Sequence, residues 1–163
     1  MRPFDGIVGG RTAQPPLMKE NTMKFMLIMR TTPEGKAAYE KADFEQIINA
    51  MGAYNESMMK AGVMIGGDGL ADDLSEAFVV NFDNDPPLVT DGPYGEIHEL
   101  FNGFWIIQVS SKEEAIEWAS RCPLGPGNKL EVRRVTDMSD FADFEGNEYL
   151  RKEEGWREEL EKS

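Results

Sequence analysis

The chain has 163 residues, enough for one domain able to bury about 70% of the surface that its unfolded form exposes. A net charge of -13 argues against a nucleic-acid binder, which needs Lys and Arg to neutralise phosphates, and disfavours docking on anionic lipid. The single cysteine, Cys122, excludes an intrachain disulfide and a cysteine-built metal cluster, and no apolar run reaches the roughly 20 residues of a bilayer span.

Residues 1–22 read as a flexible N-terminal tail, broken by Gly6, Gly9, Gly10, Pro15 and Pro16. The tail lacks the basic-then-apolar layout of a secretory leader, so the expected compartment is the cytoplasm. Met23 is a candidate start of the folded domain. From there MKFMLIMR (23–30) is a buried strand, with Phe25, Leu27 and Met29 on one face and Met26, Ile28 and Arg30 on the other. Thr31–Gly35 reads as a turn. Helical spacing then puts Phe44, Ile47, Ile48, Met51, Tyr54, Met58 and Met59 on one broad stripe, stopped by Gly62. Gly52 weakens the middle of that helix and offers a place for close backbone approach.

A short strand over Val63–Ile65 is expected to end in a turn at Gly66-Gly67-Asp68-Gly69. AFVVNF (77–82) reads as a strand, Asp83–Pro87 as a hairpin loop and Leu88–Thr90 as the returning strand. FWIIQV (104–109) is the next strand. Ser111 with Glu114 fits a capping box that opens a helix carrying Ala115, Ile116, Trp118, Ala119 and Cys122, with Pro123 as its stop. Cys122 reads as a packing residue, since no His or Lys is adjacent to activate a thiolate. KLEVRRV (129–135) alternates, with Leu130 and Val132 opposite Glu131 and Arg133. Residues 137–163 form an acidic helical extension with a helix over Glu148–Glu161, an appendage for the body or for a neighbour. The order points to an α+β domain over residues 23–136: a ferredoxin-like antiparallel sheet, helices on one face, and an inserted hairpin. Such a sheet leaves its second face open to a second copy.

Chemistry concentrates around TDGPYGEIHEL (90–100). In Asp91-Gly92-Pro93 each residue has a turn-making reason to be present, and the functional alternative is that the turn aims Asp91 into a cleft. Carboxylates that converge in an apolar hollow repel, so Glu96 and Glu99 beside Asp91 are candidates for general acid–base work; exposed acids are the plain alternative. His98 is the only histidine, so any imidazole chemistry falls to it, with Asp91 as a possible orienting partner and a surface loop as the alternative. No zinc-type spacing is present, and no metal or cofactor is expected. Glu131, Arg133 and Arg30 set charge on the open sheet face, for a ligand or for an ion pair within a dimer interface. Gly66, Gly67 and Gly69 lack the Lys and Ser/Thr of a phosphate loop, and no serine elbow occurs.

The turn, with MKFMLIM, AGVMIGGDGL (61–70), NGFWIIQV (102–109), AIEWASRCP and EVRRV (131–135), resembles the YCII-related, DGPF-domain family over about 110 residues. The resemblance implies a dimeric α/β barrel, two ferredoxin-like units pairing sheet to sheet around enclosed pockets. It implies enzymes or ligand binders of largely unknown activity, some encoded beside extracytoplasmic-function sigma factors. Asp91, Gly92, Pro93, Glu96, Glu99, Gly103, Glu131 and Arg133 occupy family positions. Tyr94 replaces Phe, His98 replaces a common Lys, and Arg134 replaces a frequent Pro. The histidine of the YCII-type His–Asp site has no counterpart here, and that dyad does not transfer. The expectation is a homodimer binding a small molecule, with Asp91, Glu99 and His98 as catalytic candidates. Arg30, Tyr54, Tyr94, Glu96, Trp105, Glu131 and Arg133 are the candidate substrate-binding residues. Cofactor-free proton transfer is the leading chemistry, and a non-catalytic regulatory module the alternative.

Overall fold

The structure is a computed structural model that describes residues 22–92 and 100–163. Strand β1 (Met23–Thr31) forms from the apolar run and pairs antiparallel on both sides, with β5 (Leu100–Val109) and with β6 (Asn128–Arg134). Strand β2 (Met64–Gly69) pairs with the far side of β5. The resulting order β2-β5-β1-β6, with every pair antiparallel, is the split βαβ arrangement of a ferredoxin-like sheet. The hairpin β3 (Phe78–Asn81) and β4 (Leu88–Asp91) is inserted between β2 and β5 as a sheet of its own. The described residues form no closed barrel.

One face of the larger sheet carries the core. Phe25 and Leu27 of β1 lie against Ile107 and Trp105 of β5, and α2 (Phe44–Lys60) and α3 (Lys112–Ser120) cover them. Leu27, Met58, Ile107 and Val109 are fully buried, each worth about 1.5–3 kcal/mol of transfer free energy. The stripe expected on α2 divides. Tyr54 and Met58 are buried, whereas Phe44, Ile48 and Met59 stay exposed, because the apolar arc is wider than the surface it packs on. Gly62 ends the turn after α2 at φ +68, the left-handed conformation that glycine accepts cheaply. A Cβ on Gly52 would meet nothing within 4 Å, so no close approach occurs there.

Three local expectations need correction. Thr31–Gly35 is not a turn: Thr32 caps a helix, α1 (Pro33–Lys41), its hydroxyl accepting from Gly35 N–H at 3.2 Å. Gly66–Gly69 is not a turn either but continues β2. Gly67 alone of the three allows that strand to press on β5, since a Cβ there would lie 2.7 Å from the Phe104 carbonyl oxygen. At α3, Ser111 accepts from Glu114 N–H, but the Glu114 carboxylate reaches back to Ser110 N–H at 2.7 Å, one residue earlier than the usual capping box.

After β6 a short 3-10 helix (Met138–Phe144) leads to α4 (Glu148–Lys162). Arg134 forms a forked ion pair with Asp140, which holds that carboxyl down at about 2. Lys24 of β1 reaches Glu161 of α4 at 3.0 Å, so the extension folds back on its own body. No helix of the described residues is long and apolar enough to cross a membrane.

Candidate functional site

Strand alternation decides which candidates can meet. On the face of the sheet turned away from α2 and α3, Ile28 of β1 lies between Phe104 of β5 and Glu131 of β6, and Met26 lies between Ile106 and Arg133. Arg30 lies between Phe101 and Lys129 on the same side. The register therefore sets Arg30 diagonal to Glu131, and the guanidinium Nε donates to the carboxylate at 2.7 Å. Both side chains are about one-third exposed, so the pair adds at most ~1 kcal/mol to stability. Its interest is placement: an oriented cation and anion sit beside an apolar strip of Met26, Ile28, Phe104 and Ile106, of which Ile28 is buried. Arg133, also on this face, is exposed.

The other candidates lie elsewhere. Asp91 ends β4 and is exposed, and the glycine after it has the positive φ, +92, that the turn required. Gly92 N–H donates to the Ala77 carbonyl at 2.7 Å, closing the base of the hairpin. Tyr54 and Trp105 belong to the core on the opposite side of the sheet, 5% and 8% exposed, and so do not line a hollow with Arg30 and Glu131. Their rings meet edge to face at 5.8 Å. The Tyr54 hydroxyl donates to the Trp118 carbonyl at 3.0 Å and Trp105 Nε1 donates to Asn55 at 2.8 Å. Burial raises the Tyr54 phenol well above its ordinary value, which suits a structural hydroxyl. Tyr94, Glu96, His98 and Glu99 fall outside the described residues. Gly103 has a packing reason to lack a side chain, since a Cβ there would lie 3.0 Å from the Asp68 carbonyl oxygen.

A family model for the YCII-related domain matches residues 23–139. The chain belongs to the YCII-related family. No curated protein is similar enough to this chain to match it. The YCII-related region spans the whole sheet, including the Arg30–Glu131 pair and the hairpin, and ends within the 3-10 helix.

Sequence reasoning missed what frames the pair. Ile28, Phe104 and Ile106 were legible as strand residues, but their shared face follows only from the pairing register. Lys129 also joins that face opposite Arg30. A groove of about 170 Å³ lies between the 3-10 helix and α4, with Lys24 of β1, Met138, Phe141 and Leu150 in its walls. Cys122 is half-buried and burial pushes its thiol up to about 12, consistent with packing rather than nucleophilic duty. Among the described residues no cluster of three or more His, Cys, Asp or Glu is placed to hold a metal.

The separation of faces has a direct test. Tyr54→Phe removes one hydrogen bond to the Trp118 carbonyl and should cost about 1 kcal/mol in urea unfolding. Ligand-dependent behaviour of the YCII-related domain should remain unchanged in this variant. A substituted protein of normal stability that loses ligand binding would return Tyr54 to the site.

Proposed function

We propose that this YCII-related protein is a homodimeric small-molecule binder whose pocket forms over the open sheet face, between two copies. The Arg30–Glu131 pair carries the reading: a fixed cation and carboxylate on an apolar floor recognise a small polar molecule by charge-assisted hydrogen bonds. In this reading Arg30 and Arg133 hold an anionic or carbonyl group of the ligand, and Glu131 orients Arg30. Asp91, with Tyr94, Glu96, His98 and Glu99, supplies the acid–base groups of this reading. If the ligand is transformed, the tools favour cofactor-free proton transfer, an isomerase or lyase step.

The test is a metabolite screen by thermal shift, repeated on Arg30→Met and Glu131→Gln. Loss of one charge-assisted hydrogen bond corresponds to about 1.5–3 kcal/mol, so affinity for any hit should fall roughly ten- to hundred-fold in Arg30→Met. At a ligand concentration of 100 Kd the native protein gains about 2.7 kcal/mol, and the variant should lose most of that shift. A hit that shifts both variants as it shifts the native protein overturns the site. For hits that are turned over, Asp91→Asn should abolish turnover and leave the melting temperature of the free protein unchanged.

A second reading is supported by α4. Tyr149, Trp156 and Leu160 are all exposed on it, while Leu150, Arg157 and Glu161 line the groove toward the body. As a regulatory module, including one linked to sigma-factor or stress signalling, the protein would present that aromatic stripe to a partner protein. Deleting residues 137–163 should then abolish partner capture, whereas in the first reading it leaves ligand affinity unchanged.

A further inference from the structure

Gly52 stands at the midpoint of α2, where a glycine destabilises a helix relative to alanine. Nothing among the described residues accounts for it: a Cβ there would meet nothing within 4 Å, and its φ is not positive. At 3.6 residues per turn Phe44, Ile48, Gly52, Asn55 and Met59 fall within about 80° of arc, beside the buried stripe of Tyr54 and Met58. Phe44 is 59% exposed, Ile48 53% and Met59 67%. Tyr39 of α1 extends the patch, its ring edge to face with Phe44 at 6.1 Å. Soluble proteins rarely leave such a surface open, and a glycine within it lets a second helix approach closely. Gly155, at the middle of α4, differs: it lies roughly 100° or more round its helix from Tyr149, Trp156 and Leu160.

The α2 surface is complementary to itself. Its N-terminal half holds Phe44, Glu45 and Ile48, and its C-terminal half holds Met59 and Lys60. A second α2 laid antiparallel, with the two-fold axis at Gly52, brings Met59 of each copy level with Glu45 of the other, between Phe44 and Ile48. Lys60 of each copy falls on the flank that carries Glu45 of the other. Glu45 has no ion pair among the described residues, and Lys60 is paired with Glu56 one turn back, an exposed contact at 3.0 Å. The arrangement sets apolar groups on apolar groups, a cation beside an unpaired carboxylate, and two helix dipoles antiparallel. Glycine meets glycine at the crossing, where the axes approach most closely. A helix of another protein would have to repeat this order of groups; a second copy has it already.

We propose that α2 of one copy packs antiparallel on α2 of a second copy, crossing at Gly52, as an isologous interface of this protein. The contact lies on the helix side of the four-stranded sheet, opposite the Arg30–Glu131 pair. It therefore goes beyond the pocket reading and stands or falls separately from it. Where both contacts form, the closed assembly is a tetramer of two-fold symmetry.

Gly52→Leu is the first test. Leucine is the better helix former and its Cβ has open space, so the melting temperature in dilute solution should not fall. Self-association, read by sedimentation equilibrium, should weaken by at least ~10-fold. A native protein whose self-association is unchanged by Gly52→Leu overturns the α2 pairing and leaves the sheet-face dimer standing. A native protein that sediments as a monomer overturns both. The geometry is tested in full-length Cys122→Ala chains carrying Gly52→Cys, oxidised in dilute solution. A glycine crossing brings the two Cα atoms within the about 4.4–6.8 Å that a disulfide needs, so a covalent dimer is the expected product. Gly155→Cys is the control for random collision. A Gly52→Cys yield no greater than that control overturns the pairing, whether or not Gly52→Leu folds.

Discussion

Leu27→Ala is expected to lower the unfolding free energy by about 2–5 kcal/mol, a large part of the 5–15 kcal/mol typical of a domain. Leu27 is fully buried in the strand that pairs on both sides, with Trp105 across from it on β5 and Val132 on β6. Neither neighbour can collapse into the space without shifting a central strand, so the loss combines transfer free energy with a cavity. Urea denaturation should show a lower midpoint with an unchanged slope, since the same surface is exposed on unfolding. Leu160→Ala is the control: Leu160 is exposed on α4, and its removal should change stability by no more than about 0.5 kcal/mol. Equal effects from the two substitutions would mean that the core does not lie between the sheet and α2 and α3.

The sheet was legible in the chain because period-two alternation is strong where a strand has one buried side. In β1 the Phe25/Leu27/Met29 face and the Met26/Ile28/Arg30 face separated as read, and KLEVRRV placed Leu130 and Val132 toward the core. The inserted hairpin was also readable, from AFVVNF and its Pro-containing loop. Glycine misled twice for one reason. Gly35 and Gly67 look like turn residues in isolation, yet each is small because another backbone presses on it, a contact made over long sequence distance. Local reading cannot detect that.

The candidate site was less legible than the fold. Charged residues two apart on β6 identified Glu131 and Arg133 as sharing a face, but only pairing showed that Arg30 meets Glu131 rather than Arg133. Tyr54 and Trp105 were drawn into the site because an aromatic with a polar tip suits a pocket rim and a core equally well. What separates the two is where the polar tip finds its partner. For these residues the partners are the Trp118 carbonyl and Asn55, on the helix side of the sheet.

Gly127→Ala is the other substitution expected to have a large effect, and it links the fold to the proposed site. Gly127 has φ +84, a conformation that costs an L-residue about 1–2 kcal/mol. A Cβ there would also lie 2.6 Å from the Gly35 backbone nitrogen, a clash that only movement of α1 or β6 relieves. The Gly127 carbonyl accepts from both Thr32 N–H at 3.1 Å and the Thr32 hydroxyl at 2.6 Å, tying the end of β1 to the residue just before β6. The combined strain should reach about 2–5 kcal/mol, read from the urea midpoint. The functional consequence is more specific. This tie helps fix the register that sets Glu131 opposite Ile28 and within reach of Arg30. At temperatures where Gly127→Ala remains folded, any ligand that depends on the Arg30–Glu131 pair should bind it more weakly than it binds Leu27→Ala at matched stability. Equal affinity in the two variants would show that the start of β6 does not position the pair.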